Sequence, residues 1–355
     1  NVYGEEGVLI YQGYNIHELA EFSTFEEVVF LLWNGRLPKQ DELSALSAQF
    51  KANYGIAPEV IDLMKSFPKD AEPMDVLRTV VSSLAFYDTE NAHKTDREHA
   101  VNAAVRLTGQ FPTIVAAWER IRSGKDVIAP NKELSIAENF LYMMHGTMPD
   151  ADEARIMDVC LILQADHELN ASTFTTRVVS GTLADVYGAV TAGIAALAGP
   201  LHGGANTAVM KMLLEIGDID KLEAWLDQAL AEKRKIMGIG HAVYKVEDPR
   251  ATWLRRYSKE LGEKKGNTKW FEMSRKLETL MHDKKGMYPN VDFYSASTYY
   301  LMDIPLDQYT PIFAVSRISG WTGHILEQYS NNKLIRPRAE YIGAVDLKYV
   351  PIAER

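Results

Sequence analysis

The chain has very little cysteine, and this scarcity narrows its possible chemistry. Its single cysteine, Cys160, excludes an internal disulfide and any cysteine-rich metal site, and it suits a reducing cytoplasm. Cys160 lies in the apolar run 156–163, which predicts a buried, inert thiol rather than a nucleophile. Catalytic groups must therefore be sought among other residue types.

The sequence also lacks long apolar runs and an excess of basic residues. No stretch reaches the length of a membrane span, and the N-terminus does not resemble a signal peptide. The formal net charge of −10 argues against nucleic acids and anionic membranes as partners. With 46% hydrophobic and 24% charged residues, the composition is typical of a globular enzyme, which we expect in the cytoplasm.

Helical periodicity dominates the chain, and strand signals are confined to the first dozen residues, around Val8-Leu-Ile-Tyr11. The predicted fold class is therefore all-α. A capping box is predicted at Ser23-Thr-Phe-Glu26, and Pro73 is predicted to begin a helix. Gly109 and Pro112 predict a break or kink in a long helix over about 97–123. Further helices are predicted over 134–145, 151–165, 170–180, 182–198, 204–216, 219–236, 249–263, 267–283, 294–302 and 311–330.

Several common catalytic motifs are absent. The chain has no Gly-x-x-x-x-Gly-Lys phosphate loop, no His-Glu-x-x-His, no Cys-x-x-Cys and no Gly-x-Ser-x-Gly elbow. Gly238-Ile-Gly240 lacks the third glycine and the strand–helix context of a dinucleotide fingerprint. A protein-bound catalytic metal is therefore not expected. Acid–base chemistry by histidine and carboxylate remains, with arginines to bind an anion.

Two histidines lie in similar turns that contain glycine. His202 occurs in Gly199-Pro-Leu-His-Gly-Gly-Ala-Asn206, and His241 occurs in Gly238-Ile-Gly-His-Ala-Val-Tyr244. A lone acid, Asp292, follows in Tyr288-Pro-Asn-Val-Asp292. For either turn alone, a solvated loop histidine is the alternative. Because a turn fixes a titratable group within reach of a ligand, both turns together with Asp292 predict an active site.

Arginines provide candidate anion sites. In Asp248-Pro-Arg250 the aspartate can cap a helix and the proline can begin it, so Arg250 would lie at the positive end of the helix dipole. Arg317 interrupts an apolar helix, where burial is costly unless it is paired or meets an anionic ligand. Arg336 lies near the C-terminus, where solvated charge is the default. For each arginine alone a structural salt bridge is the alternative, although the planar guanidinium also suits carboxylates.

Six motifs together resemble the citrate synthase family, in the family's order and over essentially the whole chain. They are Asp166-His-Glu-Leu-Asn-Ala-Ser-Thr173, Gly199-Pro-Leu-His-Gly-Gly-Ala-Asn206, Gly238-Ile-Gly-His-Ala-Val-Tyr244, Asp248-Pro-Arg250, Pro289-Asn-Val-Asp292 and Val315-Ser-Arg317. The resemblance is closest to the short bacterial, Gram-positive-like type. It implies a helical homodimer with a large domain of 1–203 and 304–355 and a small domain of 204–303. The active site would lie in the cleft between the domains, and closure would complete it.

The resemblance also implies roles for individual residues. Asp292 would take a proton from acetyl-CoA, His202 would hydrogen-bond the thioester oxygen, and His241 would bind the keto oxygen of oxaloacetate and act as an acid. Water would then hydrolyse citryl-CoA to citrate and CoA, a step of the tricarboxylic acid cycle. The residues implied to hold oxaloacetate are His167, His241, Arg250, Arg317 and Arg336, the last contributed by the partner subunit. Those implied to contact CoA are Met237, Gly238, Ile239, Gly240 and Lys245. No permanently bound cofactor is implied, because acetyl-CoA is a cosubstrate.

The acyl group remains open at this point. Relatives that act as 2-methylcitrate synthases on propionyl-CoA share these motifs, and one methylene supplies only about 1–3 kcal/mol of discrimination. The pairs Leu169-Asn170 and Ala314-Val315 favour the citrate form. A lyase that cleaves citryl-CoA and a non-catalytic helical protein that binds CoA are further alternatives. Family members inhibited by NADH usually carry a longer N-terminal region, so this control is not expected.

Overall fold

A computed structural model describes all 355 residues, which form sixteen α-helices and one small sheet. The helices are α1 (Ile16–Phe22), α2 (Phe25–Asn34), α3 (Gln40–Ala52), α4 (Pro58–Lys65), α5 (Pro73–Leu84), α6 (Arg97–Arg122), α7 (Ile136–His145), α8 (Ala151–Gln164), α9 (Ala171–Ser180), α10 (Val186–Leu197), α11 (Ala205–Ile216), α12 (Leu222–Ala231), α13 (Pro249–Lys264), α14 (Lys269–Lys285), α15 (Val291–Leu301) and α16 (Tyr309–Ser330). The predicted all-α class is confirmed. No helix combines the length and the apolar character that a membrane crossing requires.

The sheet is antiparallel and lies at the N-terminus, as the strand signals indicated. Its strands are β1 (Val2–Tyr3), β2 (Val8–Tyr11) and β3 (Tyr14–Asn15), in that order. Gln12 and Gly13 connect β2 to β3 with φ values of 48° and 92°, the left-handed pair that a tight hairpin turn requires. The Asn15 side chain then accepts a hydrogen bond from the backbone of His17 and caps α1.

Helices α6 and α16 form the centre of the core. Helix α16 packs against α2, α6, α8, α9 and α10, and it is buried along most of its length. Trp118 of α6 and Trp321 of α16 are the largest fully buried side chains. Helices α11 to α15 pack mainly against one another, and α13 also contacts α1 and α8. The chain segment 205–301 is therefore a local cluster of helices beside the central one.

Of the break or kink predicted near Gly109 and Pro112, the break is wrong, because α6 runs without interruption through both residues. Its middle is buried by neighbouring helices, and this packing offsets the loss of the backbone hydrogen bond that proline cannot make. Gly109 serves close packing instead. A Cβ there would lie 3.0 Å from the carbonyl oxygen of Asn53, so glycine lets the end of α3 approach α6.

The predicted capping box is displaced by one residue. Thr24 is the N-cap of α2, and its reciprocal partner is Glu27. Ser23 and Glu26 also fit the spacing, but both have other partners. The Ser23 hydroxyl donates to the Leu19 carbonyl at the end of α1, and Glu26 is buried, where it accepts from the backbone N–H of Ile136. A local bond of Ser23 and a tertiary bond of Glu26 thus decide between two equivalent local patterns.

Candidate active site

Six predicted residues come from different chain segments that meet in one place, the candidate site. His167 follows α8, His202 joins α10 to α11, His241 precedes α13, Arg250 and Asp292 lie in the first turns of α13 and α15, and Arg317 lies within α16. The ring centroids of His167 and His241 are 5.3 Å apart. The charges of Arg250 and Arg317 act on both His167 and Asp292. The predicted residues are therefore brought together.

Backbone hydrogen bonds join the His241 loop to the segment before Asp292. The Gly240 N–H donates to the Tyr288 carbonyl at 2.7 Å, and the Asn290 N–H donates to the Gly238 carbonyl at 2.9 Å. The Asn290 amide also donates to the Gly240 carbonyl at 2.8 Å. Gly238 has a φ of 75° and Gly240 one of 87°, so both occupy the left-handed region that favours glycine.

His241 is held by its own turn. The backbone N–H groups of Val243 and Tyr244 donate to its Nδ1, at 3.0 and 3.1 Å. Burial and then the charge of Arg250 lower the pKa of His241 to about 4, so the ring is neutral at pH 7. Because Nδ1 accepts, the single ring proton lies on Nε2. His241 can therefore donate a hydrogen bond from Nε2.

His202 is held from another helix and through the other nitrogen. The backbone N–H of Ser172, in the first turn of α9, donates to its Nε2 at 3.3 Å, and Ser172 Oγ lies 2.8 Å from the same nitrogen. Burial and then the charge of Arg317 lower the pKa of His202 to about 4. The ring is again neutral, but its proton lies on Nδ1, which is left to donate.

Asp292 carries a carboxylate with no hydrogen-bond donor in the chain. Its backbone N–H donates to Asn290 Oδ1 at 3.0 Å, which sets the first turn of α15. Burial raises the pKa of Asp292 to about 7, although Arg250 opposes the shift. A carboxylate whose pKa lies near neutrality is matched to general base catalysis at physiological pH.

The two buried arginines have different environments. Arg250 donates to both carboxylate oxygens of Asp248, from Nε at 2.9 Å and from Nη2 at 2.7 Å, so the structural salt bridge is present there. Asp248 Oδ2 also accepts from the Val291 N–H at 3.1 Å, which ties α13 to α15. Arg317 has no carboxylate partner, and although its Nε donates to the Gln164 carbonyl, its buried Nη1 has no hydrogen bond at all. Burial lowers the pKa of Arg317 to about 10, so it remains charged. An anionic ligand would satisfy it.

Two predicted residues are not brought into the cleft. Arg336 lies in the exposed C-terminal segment and makes no hydrogen bond or ion pair within its own chain. The Lys245 side chain is exposed and unbonded, and only its backbone N–H is engaged, with the Gly4 carbonyl. Met237 and Ile239 belong to the loop that precedes His241. The histidines and carboxylates of the chain form no cluster that could hold a metal ion.

Four residues of the site make contacts that the sequence did not predict. Ser172 supports His202, Tyr244 lies 3.3 Å from His167 Nε2, and Asn290 joins the two loops. Asp248 was expected only as a helix cap, which it is, but it also pairs with Arg250. All four lie inside or beside the quoted motifs. Spacing could have suggested their proximity to the site, whereas the partner of each depends on tertiary structure.

A carboxylate base with a near-neutral pKa beside two neutral hydrogen-bond donors suits one kind of reaction. It can take a proton from carbon next to a carbonyl group while a donor stabilises the oxygen on which charge develops. Unpaired buried arginine adds a place for an anionic substrate. The fold and the site therefore define an all-α acid–base enzyme that acts on a carbonyl compound and an anion.

Comparison with known proteins identifies the family. Residues 1–338 match the model of the citrate synthase C-terminal domain. Citrate synthase 2 of Bacillus subtilis is 49% identical, over 99% of this chain and 94% of its own length, and 2-methylcitrate synthase 2 of Corynebacterium glutamicum is 42% identical, over 99% and 93%. The solved ternary complex of carboxymethyl coenzyme A and oxaloacetate with citrate synthase from Thermoplasma acidophilum has a TM-score of 0.94 at 34% identity, over 100% of this chain and 95% of that one. The chain belongs to the citrate synthase family, and it is an enzyme that forms a carbon–carbon bond in the condensation of acetyl-CoA with oxaloacetate.

Proposed function

We propose that Asp292, His202 and His241 together catalyse the condensation of acetyl-CoA with oxaloacetate. The observation that carries this proposal is the geometry of the site, in which the Asp292 carboxylate has no donor in the chain and a backbone N–H occupies one nitrogen of each histidine ring. Asp292 has a pKa near 7, and the two histidines are neutral, with Nδ1 of His202 and Nε2 of His241 left free to donate. These states supply one base and two donors at the same pH.

The first step is removal of a proton from the methyl group of acetyl-CoA. A thioester α-proton is weakly acidic, so a carboxylate can remove it only if the developing oxyanion is stabilised at the same time. Asp292 takes the proton, and Nδ1–H of His202 donates to the thioester oxygen. A neutral imidazole suits this task because its N–H can donate to the enolate oxygen.

The second step joins the enolate carbon to the keto carbon of oxaloacetate. Nε2–H of His241 donates to the keto oxygen, which becomes the hydroxyl of citryl-CoA as it takes the proton. The ring then gains negative charge, and the backbone N–H groups of Val243 and Tyr244 at Nδ1 stabilise that charge. Water hydrolyses citryl-CoA to citrate and CoA.

Oxaloacetate would be held by the positive side of the cleft. Its two carboxylates would meet Arg317, whose Nη1 is otherwise unsatisfied, and Arg250, which Asp248 holds in place. His167 would add a neutral donor beside them. For CoA, the backbone of Met237, Gly238, Ile239 and Gly240 would contact the adenine, and Lys245 would approach the phosphates. Closure of a small domain of 204–303 onto a large domain of 1–203 and 304–355 would bring the two substrates together.

A homodimer completes the proposed site. Arg336 has no partner in its own chain, and large apolar side chains of the same segment are exposed, including Ile342 at 94% and Tyr349 at 81%. A second copy that covers this segment would bring Arg336 to the other cleft. Mixed dimers of Arg336→Ala and Asp292→Ala chains test this directly. Activity in the mixture, where each pure variant has none, supports action in trans, and an inactive mixture contradicts it.

The proposed function is tested by thiol release from acetyl-CoA and, separately, from propionyl-CoA in the presence of oxaloacetate. The matched control is Asp292→Asn, which keeps the shape of the side chain but removes the base. Faster release from acetyl-CoA that depends on Asp292 is the expected result. A preference for propionyl-CoA would assign the chain to the 2-methylcitrate synthases, and no release from either would contradict the catalytic proposal. We expect the enzyme in the cytoplasm, as its single cysteine indicates.

A further inference from the structure

Tyr244 is a buried residue of the cleft to which the mechanism gives no role for its side chain. It is 4% exposed, and its ring packs against the rings of His167 and His241, which also contact each other. The ring centroid of Tyr244 is 4.7 Å from that of His241 and 5.6 Å from that of His167. Its hydroxyl oxygen is 3.3 Å from His167 Nε2. This is the only hydrogen-bond partner of the His167 ring.

The contact determines which nitrogen of His167 carries a proton. Burial, followed by the charges of Arg250, Arg317 and His241, lowers the pKa of His167 well below its ordinary value, so the ring is neutral. Burial raises the pKa of Tyr244, so the phenol keeps its proton and can donate it. If the hydroxyl donates to Nε2, the His167 proton lies on Nδ1, which has no partner in the chain. A carboxylate of the substrate requires a donor at that place, and Nδ1–H supplies one.

The turn that carries Tyr244 is itself held in place. Its backbone N–H is bonded to His241, and the next residue, Lys245, donates to the Gly4 carbonyl at 2.9 Å. A Cβ on Gly7 would lie 2.7 Å from a methyl group of Val246, so the N-terminal sheet packs closely on this turn. Tyr244 is therefore fixed by backbone contacts on both sides of its own position.

We propose that Tyr244 is a positioning residue that fixes the tautomer and orientation of His167 and thereby strengthens the binding of oxaloacetate. The inference rests on the proposed function, because it takes oxaloacetate as the ligand. The contact joins a residue of the proposed large domain to one of the proposed small domain, so it forms only when the two lie together. At 3.3 Å it is long, and ligand binding should shorten it.

The test is the affinity for oxaloacetate alone, measured by calorimetry on Tyr244→Phe. This change keeps the ring and removes the hydroxyl. The dissociation constant should rise about threefold to tenfold, the range that one neutral hydrogen bond supplies, while the KM for acetyl-CoA should not change. The matched control is Tyr54→Phe, which removes a buried hydroxyl bonded to the Leu134 carbonyl at 3.2 Å and should leave the affinity unchanged. Both variants should lose similar thermal stability.

A second background shows whether Tyr244 acts through His167. In His167→Asn, the change Tyr244→Phe should weaken oxaloacetate binding no further, because the group that it positions is gone. An unchanged affinity of Tyr244→Phe would overturn the inference, as would an equal loss in both backgrounds. If the unmodified protein does not bind oxaloacetate, the proposed function fails instead, so the two failures are distinguishable.

Discussion

The two histidine turns look alike in sequence but differ in how they hold the ring. His241 accepts hydrogen bonds from the backbone of its own turn, at Nδ1. His202 accepts a hydrogen bond at Nε2 from the backbone N–H of Ser172, thirty positions earlier in the chain and in another helix. Both rings are neutral, and each presents the opposite nitrogen to the cleft. In the proposed mechanism this difference separates two roles, a donor for the thioester and a donor for the keto group.

The two turns should also differ in the substitutions that disturb them. The His241 turn depends on local backbone geometry, because Gly238 and Gly240 have positive φ values and bond to the segment before Asp292. The His202 turn depends on the packing of α9, which brings Ser172 to the ring. Local substitutions should therefore disturb His241, whereas changes in a distant helix should disturb His202.

The largest expected effect comes from removing either ring. His202→Ala and His241→Ala should each reduce kcat by about 100- to 1,000-fold, the usual scale for an oxyanion donor or a general acid. Only His241→Ala should also weaken oxaloacetate binding, because His202 is proposed to bind the thioester instead. His93→Ala, which removes an exposed histidine, is the control. Equal losses of oxaloacetate affinity in both variants would abolish the distinction between the turns.

The pH dependence separates the base from the two donors. Asp292 must be ionised to act, and its pKa is raised to about 7, so kcat/KM should fall about tenfold for each pH unit below that value. The histidines, with pKa values lowered to about 4, should add no second limb above pH 5. A profile that instead rises as the solution becomes acidic would mean that a charged histidine is the working acid.

Glycine substitutions test the local dependence of the His241 turn. Gly238→Ala forces a side chain into a φ of 75° and places its Cβ 2.6 Å from a methyl group of Val209, so the free energy of unfolding should fall by about 2 kcal/mol. Gly204→Ala in the other turn meets no atom within 4 Å and has a φ of −89°, so it should be neutral. Denaturant unfolding of both variants measures the difference. Equal free energies of unfolding would show that the two turns tolerate an added Cβ equally well.

The smallest expected effect comes from Ser172→Ala. The backbone N–H still donates to His202 and keeps the tautomer, so kcat should fall only about threefold to tenfold, as for one lost hydrogen bond. Oxaloacetate affinity should not change, because His241 is untouched. Ser180→Ala in the same helix is the control. A loss as large as that of His202→Ala would mean that the hydroxyl, rather than the backbone, sets the tautomer.

Much of the fold could be predicted from the sequence, and most of the candidate site residues that it names lie together in the structure. Helical periodicity reflects burial along one face, so Pro73 and the apolar pattern after it correctly predicted α5. The break at Pro112 was wrong because periodicity cannot show that a helix is buried on all sides. The capping box was wrong because Ser23 and Thr24 offer the same local pattern, and the choice depends on the end of α1, which engages Ser23, and on distant Ile136, which engages Glu26.

The chemistry of the site was less accessible from sequence. The motifs identified His202, His241 and Asp292, but not which nitrogen of each ring carries a proton. That assignment depends on Ser172 and on the backbone of residues 243 and 244, which face the rings only in the folded chain. The burial that raises the pKa of Asp292 is likewise a property of the packed cleft.

The central claim is that two neutral histidines donate from opposite nitrogens. Neutron diffraction from deuterated crystals at pH 7 tests it most directly, because deuterium on each ring nitrogen is visible. The account predicts deuterium on Nδ1 of His202 and on Nε2 of His241, and on no other nitrogen of either ring. Deuterium on both nitrogens of one ring, or on the same nitrogen of both, would contradict it.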